Sequence, residues 1–263
     1  MAITTFDGFI ASTKQYLSWT KVATRTTVGA AWFSVFELAG SPGAGILAGS
    51  STTAGVVPTD ATAGFPVIDA FGGGATGYLA QVDFGSSVAS RIKLFDMVFK
   101  AGAYAFNANT ALSAQPSYAS RMPESNYKDT QIWIETVTAF TGNPIFTITY
   151  TNQDGTAGRT ALLGAGTAPT LGRMFQIPLQ SGDTGVQKID NVACSVATVG
   201  TFNVLVMRPL WSGRVKIAND GDVHDLAKTA MPVVFADSAL TFIISADSTS
   251  SGIPNIEMVI ANG

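Results

Sequence analysis

The sequence predicts an all-β protein whose antiparallel strands form a sandwich or jelly-roll-like fold with long loops. Three observations indicate this class. Apolar and polar residues alternate with a period of two in many short segments, turns rich in Gly, Pro, Asn and Ser separate these segments, and helical periodicity occurs at one place near the N-terminus. No repeat of fixed length is evident, which argues against a solenoid or a propeller.

The N-terminal stretch is the best helix candidate. Thr5 can cap a helix over residues 5–18, and four apolar side chains then fall near one face: Phe6, Phe9, Ile10 and Leu17. Such a helix either packs on its own domain or docks on a neighbouring subunit as an arm. We assign residues 1–25 to this helix or arm and predict that its apolar residues contact a partner. Deletion of residues 1–20 is then expected to leave a folded domain.

Residues 26–263 are predicted to form one β-sandwich domain, and they begin with a strand over residues 26–38. A loop rich in Gly, Ala, Ser, Thr and Pro follows over residues 39–77. Loops of this length usually have a function or are ordered by a neighbour. We therefore predict that its apolar side chains lie along a surface and contact a partner, in particular Ile46, Leu47, Val56 and Val57.

Two β-hairpins are predicted in the second half of the chain. In the first, alternating residues on each side of a break at residues 141–144 predict two strands, because Gly142 permits positive φ and Pro144 cannot donate to a central ladder. In the second, two strands meet around Val199 and Gly200. Further strands are predicted at residues 78–84, 91–103, 173–179, 232–236, 239–245 and 256–261, with irregular segments at 110–128 and 156–170.

Composition favours a protein that functions within an assembly. Only 13% of the 263 residues are charged, against about 25% in typical proteins. Few charges together with retained aromatic residues are typical of the buried part of protein–protein contacts. A net charge of -3 gives little attraction to nucleic acid, so no nucleic-acid partner is predicted. No apolar run reaches the length of a membrane span and the start lacks a signal-peptide pattern, so we predict a protein made in the cytoplasm with no membrane partner.

No motif predicts an enzyme, a cofactor or a metal ion. His224 is the only histidine, and the acidic residues around it lack the ligand spacing of a calcium loop, so residues 219–225 are interpreted as a solvated turn, with a weak cation site as the alternative. The glycine-rich segments lack phosphate-binding signatures, and no serine-nucleophile motif occurs. Carboxylate pairs of the glycosidase kind cannot be recognised from one sequence.

The remaining residues that could carry chemistry have simpler interpretations. Cys194 lies in an alternating apolar run, so it is predicted to be a small buried residue. Trp19, Trp32, Trp133 and Trp211 could line a sugar site, but no polar constellation lies beside them in sequence, and core packing is the favoured interpretation.

Several segments resemble virion structural proteins of tailed bacteriophages, in particular head decoration (cement) proteins. The resemblance lies in four segments, residues 94–99, 148–155, 202–210 and 237–254. It implies a β-rich protein, present in many copies on the outside of the virion, whose partners are the major capsid protein of the phage head and further copies of itself, often as a homotrimer. No site residues carry over, because no motif fixes them. Two alternatives remain: a phage tail-tube or baseplate protein, and a carbohydrate-binding module.

Overall fold

The computed structural model describes Ile3, residues 5–46 and residues 51–263. Strands make up 52% of it and helices 6%, in two antiparallel sheets, which confirms the all-β sandwich with a short helix. The elements, from the N-terminus, are α1 (Phe6–Ala11), β1 (Thr13–Lys21), β2 (Phe33–Ser34), β3 (Gly40–Ser41), β4 (Gly77–Ser86), β5 (Ser90–Ala105), β6 (Asn109–Ala111), β7 (Gln131–Asn152), β8 (Arg159–Gly164), β9 (Met174–Ile177), β10 (Val186–Val215), β11 (Asp220–His224), α2 (Leu226–Thr229), β12 (Val233–Val234), β13 (Leu240–Ala246) and β14 (Pro254–Asn262).

The chain divides into two compact units. The first unit comprises residues 1–45, 59–96 and 210–263, and the second comprises residues 46–58 and 97–209. The long loop is therefore shared: its middle part, residues 46–58, belongs to the second unit, and its two ends, residues 39–45 and 59–77, belong to the first. Strands β5 and β10 each contribute residues to both units.

The first unit is a β-sandwich. One of its sheets has the strand order β11–β4–β14–β1–β3, with β12 also paired to β4. Opposite it, β13 pairs with β2 and with the first residues of β5. The rings of Trp19 on β1 and Phe242 on β13 lie 5.0 Å apart, so side chains of both layers meet in one core. Alternation of apolar and polar residues along β1, β4 and β14 fills this core from one face of each strand.

Strand β1 lies inside the sheet of the first unit, so the predicted helix over residues 5–18 is wrong beyond Ala11. It pairs with β14 from Thr13 to Thr20 and with β3 through Thr20 and Lys21. Leu17 and Trp19 on its inner face are buried. Burying these two side chains between sheets outweighs the helical spacing that the sequence also permits. Within the predicted arm, helix α1 buries no residue, whereas residues 13–21 form a strand of the sheet. Residues 13–21 are therefore not part of an arm.

A buried lysine fastens the end of β1 to the segment that follows β2. The Lys21 ammonium donates to the carbonyl oxygens of Phe36, Leu38, Pro42 and Gly43 at 3.0–3.4 Å and lies 5.0 Å from the ring centroid of Trp19. Its side chain is fully buried. Burial lowers the Lys21 pKa to about 8, so the ammonium form still predominates at neutral pH. The four carbonyl groups thereby obtain a buried hydrogen-bond partner.

The second unit is built on one long ladder between β7 and β10, and the two predicted hairpins are wrong. Strand β7 continues through residues 141–144, and β10 continues through Val199 and Gly200. Each strand pairs with the other, antiparallel, from Val186 opposite Asn152 to Met207 opposite Gln131. The two sequence breaks thus face each other across the ladder, where Gly142 lies opposite Ala197.

Bulges explain why a turn signature lies within continuous strands. Four of the six register shifts of the ladder fall between Ser195 and Phe202, and Gly142 and Gly200 have φ of 89° and 124°. A Cβ on Gly200 would collide with the ring of Phe140, at 2.5 Å from its nearest atom. Pro144 has no partner in the ladder, so its missing N–H costs no strand hydrogen bond. β-Bulges and hairpin turns favour the same residue types, such as glycine with positive φ. Which of the two forms depends on the strand that pairs with the segment, here β10 opposite β7.

Three smaller assignments are also corrected. The strand predicted over residues 26–38 is reduced to β2, because most of its backbone pairs with no strand. The small-residue loop at 156–170 contains β8, which pairs with residues 145–150 of β7. The turn predicted at 219–225 contains β11, which pairs with β4 at the edge of its sheet. The sequence did not reveal these last two strands, because few of their side chains are buried and their apolar alternation is therefore weak.

An aromatic cluster forms the centre of the second core. The Phe202 ring lies 5.6 Å from that of Tyr104, 6.2 Å from that of Phe140 and 4.9 Å from that of Phe146. Cys194 packs in the same core, as predicted, and burial raises the pKa of its thiol to about 11. The thiol therefore stays protonated and packs as an apolar side chain.

Asp183 ties the loop before β10 to strands β7 and β8. Its carboxylate accepts hydrogen bonds from Tyr150 Oη at 2.6 Å, Asn152 Nδ2 at 2.8 Å and Arg159 Nε at 2.8 Å. These donors, the Arg159 guanidinium first, lower the pKa of Asp183 to about 2. The side chain is only 2% exposed. The folded protein thus stabilises the ionised carboxylate more than water does.

We expect Asp183→Asn to destabilise the second unit by about 2 kcal/mol at neutral pH, the usual scale for hydrogen bonds to a charged group. The folded pKa lies below the unfolded value of about 3.9, so this contribution is complete above pH of about 4 and is lost as pH falls towards 2. Chemical denaturation of both proteins between pH 7 and pH 2 measures it. The two stabilities should converge at low pH. Asp154→Asn, in the neighbouring exposed turn, is the control, and an equal loss in both variants would contradict the prediction.

Candidate interaction surface

Helix α1 is held in place by its two ends. At the N-terminus, Thr5 Oγ1 accepts a hydrogen bond from the backbone N–H of Gly8 at 3.0 Å. At the C-terminus, the Lys14 ammonium donates to the carbonyl oxygens of Phe9, Ile10 and Ser12 at 2.7, 2.9 and 2.8 Å, and it lies 4.9 Å from the ring centroid of Phe9. A cation at this end also interacts favourably with the helix dipole. Lys14 belongs to β1, so the helix is fixed to a strand that the core holds.

None of the six residues of α1 is buried. Phe6 is 65% exposed and Ile10 is 59% exposed, while Phe9 is half-buried against Phe6, with ring centroids 6.3 Å apart. A helix of this length is marginal in water without tertiary contacts. The caps therefore hold two large apolar side chains in solvent, and we call Phe6, Phe9 and Ile10 the helix surface.

Leu17 was predicted to share a face with these residues, but the structure places it elsewhere. Its side chain is 8% exposed and packs in the core of the first unit. Tyr16, its neighbour on the outer face of β1, is 75% exposed. Tyr16 was not predicted as a surface residue, because residues 5–18 had the spacing of a helix. The two-residue spacing of the apolar Leu17 and Trp19 is the signal that indicates a strand with Tyr16 on its outer face.

The predicted contact residues of the long loop lie in the second unit. Val56 and Lys100 exchange backbone hydrogen bonds at 2.8 and 2.9 Å, and Lys100 Nζ donates to the Ile46 carbonyl at 2.7 Å. Ile46 remains 69% exposed and Val56 37% exposed, whereas Val57 packs partly against the second core. Leu47 lies outside the described residues. The backbone is thus anchored at Ile46 and Val56, while the Ile46 side chain extends into solvent.

His224 ends β11 and packs against aromatic side chains. Its Nδ1 accepts a hydrogen bond from Trp211 Nε1 at 2.9 Å, and its ring lies 5.0 Å from that of Phe84. Its Nε2 is 3.5 Å from Asp222 Oδ2. Among the described residues, no group of three or more His, Cys, Asp or Glu side chains is arranged to hold a metal ion. The His224 imidazole therefore has a structural role, because it accepts the hydrogen bond of the buried Trp211 indole.

In the part of the chain that the structure describes, no helix is both long and apolar enough to cross a bilayer.

Comparisons with known proteins give no family. No family model matches the chain, and no curated protein sequence matches it. Among solved structures, the VP2 subviral particle of infectious bursal disease virus aligns at 11% identity over 95% of this chain and 80% of that one, with a TM-score of 0.25. The Gx strain of the same virus aligns at 10% identity over 95% and 80% of the two chains, with a TM-score of 0.21. A TM-score below 0.5 does not establish a shared fold.

Proposed function

We propose that this protein is a non-enzymatic virion structural protein that binds the outside of a bacteriophage capsid and stabilises the mature, expanded shell. The observation that supports the proposal most is the helix surface. Both ends of α1 are capped, yet its apolar side chains lie in solvent. A partner that covers them gains the hydrophobic free energy that the isolated chain lacks.

The low charge content of the chain supports the same conclusion. A surface with few charged residues loses little free energy of ion hydration when a partner covers it. The resemblance of residues 94–99, 148–155 and 202–210 to phage decoration proteins suggests the partner, namely the major capsid protein, together with further copies of this chain as a trimer.

The mechanism is thermodynamic linkage. A ligand that binds one state of a shell stabilises that state by about 2.7 kcal/mol per site when its free concentration is 100 times Kd. Contacts repeated around a symmetric lattice add avidity. A subunit that recognises only the expanded lattice therefore opposes the separation of capsid proteins under the pressure of packaged DNA.

The proposal predicts that purified protein binds mature heads stripped of it and raises the temperature at which they release their genome. Sedimentation with heads measures binding, and dye access to DNA on heating measures release. Unexpanded proheads are the comparison, because their lattice presents the site in a different arrangement. Polymerisation into tubes, or labelling of tails without heads, would favour the tail-tube or baseplate alternative.

Phe6→Ser combined with Ile10→Ser should weaken binding to heads by about tenfold or more, because each loses on the order of 1.5 kcal/mol of apolar burial. Ile217→Ser is the matched control, since Ile217 is 67% exposed and lies outside α1. Equal losses in the two proteins would show that exposed apolar area in general drives binding, which would remove the role of the helix surface.

A further inference from the structure

A cavity in the first unit gathers a large share of the positive charge of the protein. It has a volume of about 510 Å³, and its lining includes Arg91, Lys93, Arg214 and Lys216. These are four of the fifteen Lys and Arg residues in a chain whose net charge is -3. Ligand pockets commonly have volumes of roughly 300–1,000 Å³. The cavity therefore combines a ligand-sized volume with a concentrated positive field.

Strand alternation produces this cluster. On β5, Arg91 and Lys93 alternate with the buried Ile92 and Leu94, and on β10 the outward Arg214 precedes the buried Val215. Cations two residues apart on a strand point to the same face. The buried residues of both segments belong to the core of the first unit, so the core fixes the direction of the cationic side chains.

The acidic groups near the cavity leave positive charge in excess. Arg214 Nη2 lies 4.0 Å from Asp247 Oδ2, and both side chains are about half exposed, which makes a weak ion pair. Asp222 also lines the cavity, and its Oδ2 is 3.7 Å from Lys228 Nζ. No ion pair involves Arg91 or Lys216 within the described ranges. An anionic ligand would thus meet the charges of Arg91 and Lys216, in addition to the weakly paired Arg214.

The cavity also has an aromatic wall and a hydrogen-bond acceptor. Trp32 is partly exposed there, while Trp19, Trp133 and Trp211 are buried. The Lys93 ammonium lies 4.9 Å from the Trp32 ring centroid, and burial lowers the pKa of this amine. The backbone N–H of Val223 lowers the pKa of Asp222, so Asp222 is a carboxylate at neutral pH. This carboxylate repels a bare phosphate or sulfate ion, but it accepts hydrogen bonds from hydroxyl groups.

From this combination we infer that the cavity binds a sugar that carries one acidic group, a carboxylate or a sulfate. The cations of β5 and β10 attract the acidic group, Asp222 accepts from ring hydroxyls, and Trp32 packs against the apolar face of the ring. This inference is independent of capsid binding by α1. It assigns the first unit a carbohydrate-recognition site lined by Trp32, a residue whose sequence context favours core packing.

Calorimetric titration of the full chain with matched small sugars tests the inference. Methyl glucuronide and methyl glucoside 6-sulfate carry the two acidic groups, and methyl glucoside is the neutral counterpart of both. Binding of either acidic sugar, about tenfold or more tighter than methyl glucoside, is the expected result, and the tighter of the two identifies the acidic group. The inference fails if neither acidic sugar binds at millimolar concentration, or if sodium sulfate or acetate binds as tightly as the corresponding sugar.

Variants locate the site. Arg214→Gln combined with Lys216→Gln should weaken acidic-sugar binding by about tenfold or more and leave methyl glucoside binding unchanged. Both residues are exposed, so the double variant should fold, which thermal unfolding checks. Lys128→Gln removes an exposed cation in the second unit and should bind like the wild type. If Lys128→Gln weakens binding as much as the double variant, general charge attraction explains the result and the site is disproved.

Discussion

Removal of residues 1–20 should abolish folding of the first unit, whereas removal of residues 1–12 should leave it folded. The longer deletion takes away most of β1, including the buried side chains of Leu17 and Trp19. Loss of a fully buried Trp side chain alone costs about 3–5 kcal/mol, a large part of the 5–15 kcal/mol that typically stabilises a domain. The shorter deletion removes α1, which buries no residue.

Circular dichroism and thermal unfolding distinguish the two truncated proteins. The protein without residues 1–12 should retain the strand signal and a cooperative transition near that of the full chain. The protein without residues 1–20 should lose part of the strand signal and bind hydrophobic dyes. A cooperative transition of unchanged temperature in the longer deletion would contradict the placement of β1 inside the sheet. It would instead restore the expectation, from sequence, of a detachable arm of that length.

Phe202→Ala should destabilise the second unit by about 3–5 kcal/mol. The ring is fully buried and contacts the rings of Tyr104, Phe140 and Phe146. Aromatic pairs add stabilisation beyond the area that they bury. Denaturant unfolding followed by far-ultraviolet dichroism measures the loss.

Phe6→Ala is the matched control for this substitution. It removes the same side chain at a position that is 65% exposed, so stability should change by no more than about 0.5 kcal/mol. A comparable loss in the two variants would mean that Phe6 packs in the folded chain, and the proposed helix surface would lose its basis.

Sequence patterns predicted the fold class and most strands, but they could not decide between pairing partners. Residues 141–144 satisfy a hairpin turn and a bulge equally well, and only the presence of β10 opposite β7 selects the bulge. At the N-terminus, Leu17 fits a helical face with Phe6 and also fits the inner face of a strand. The registry with β14, almost the whole chain length away, selects the strand. Local residue types limit the backbone conformations that a segment can adopt, and pairing with residues distant in sequence determines which of them forms.

The candidate sites were predicted to different extents. Phe6 and Ile10 were predicted as contact residues from their apolar spacing, because apolar residues four positions apart on a short helix form a stripe that a sequence shows directly. The cationic cavity was not, although cations two residues apart occur at Arg91 and Lys93 and again at Arg214 and Lys216. These pairs are separated by more than 100 residues. Their significance depends on two strands sharing one cavity, which no local pattern reveals.

The pairing of β1 with β14 has a consequence for the order of folding during synthesis. Thr13 lies opposite Asn262, so β14 must leave the ribosome before this sheet can close. Residues 97–209, which supply most of the second unit, are complete much earlier. Contacts of such long sequence separation form slowly, because loop closure costs entropy before any pairing compensates for it. The second unit should therefore fold first on the ribosome, while β1 lacks its β14 partner until residues 254–262 have been synthesised.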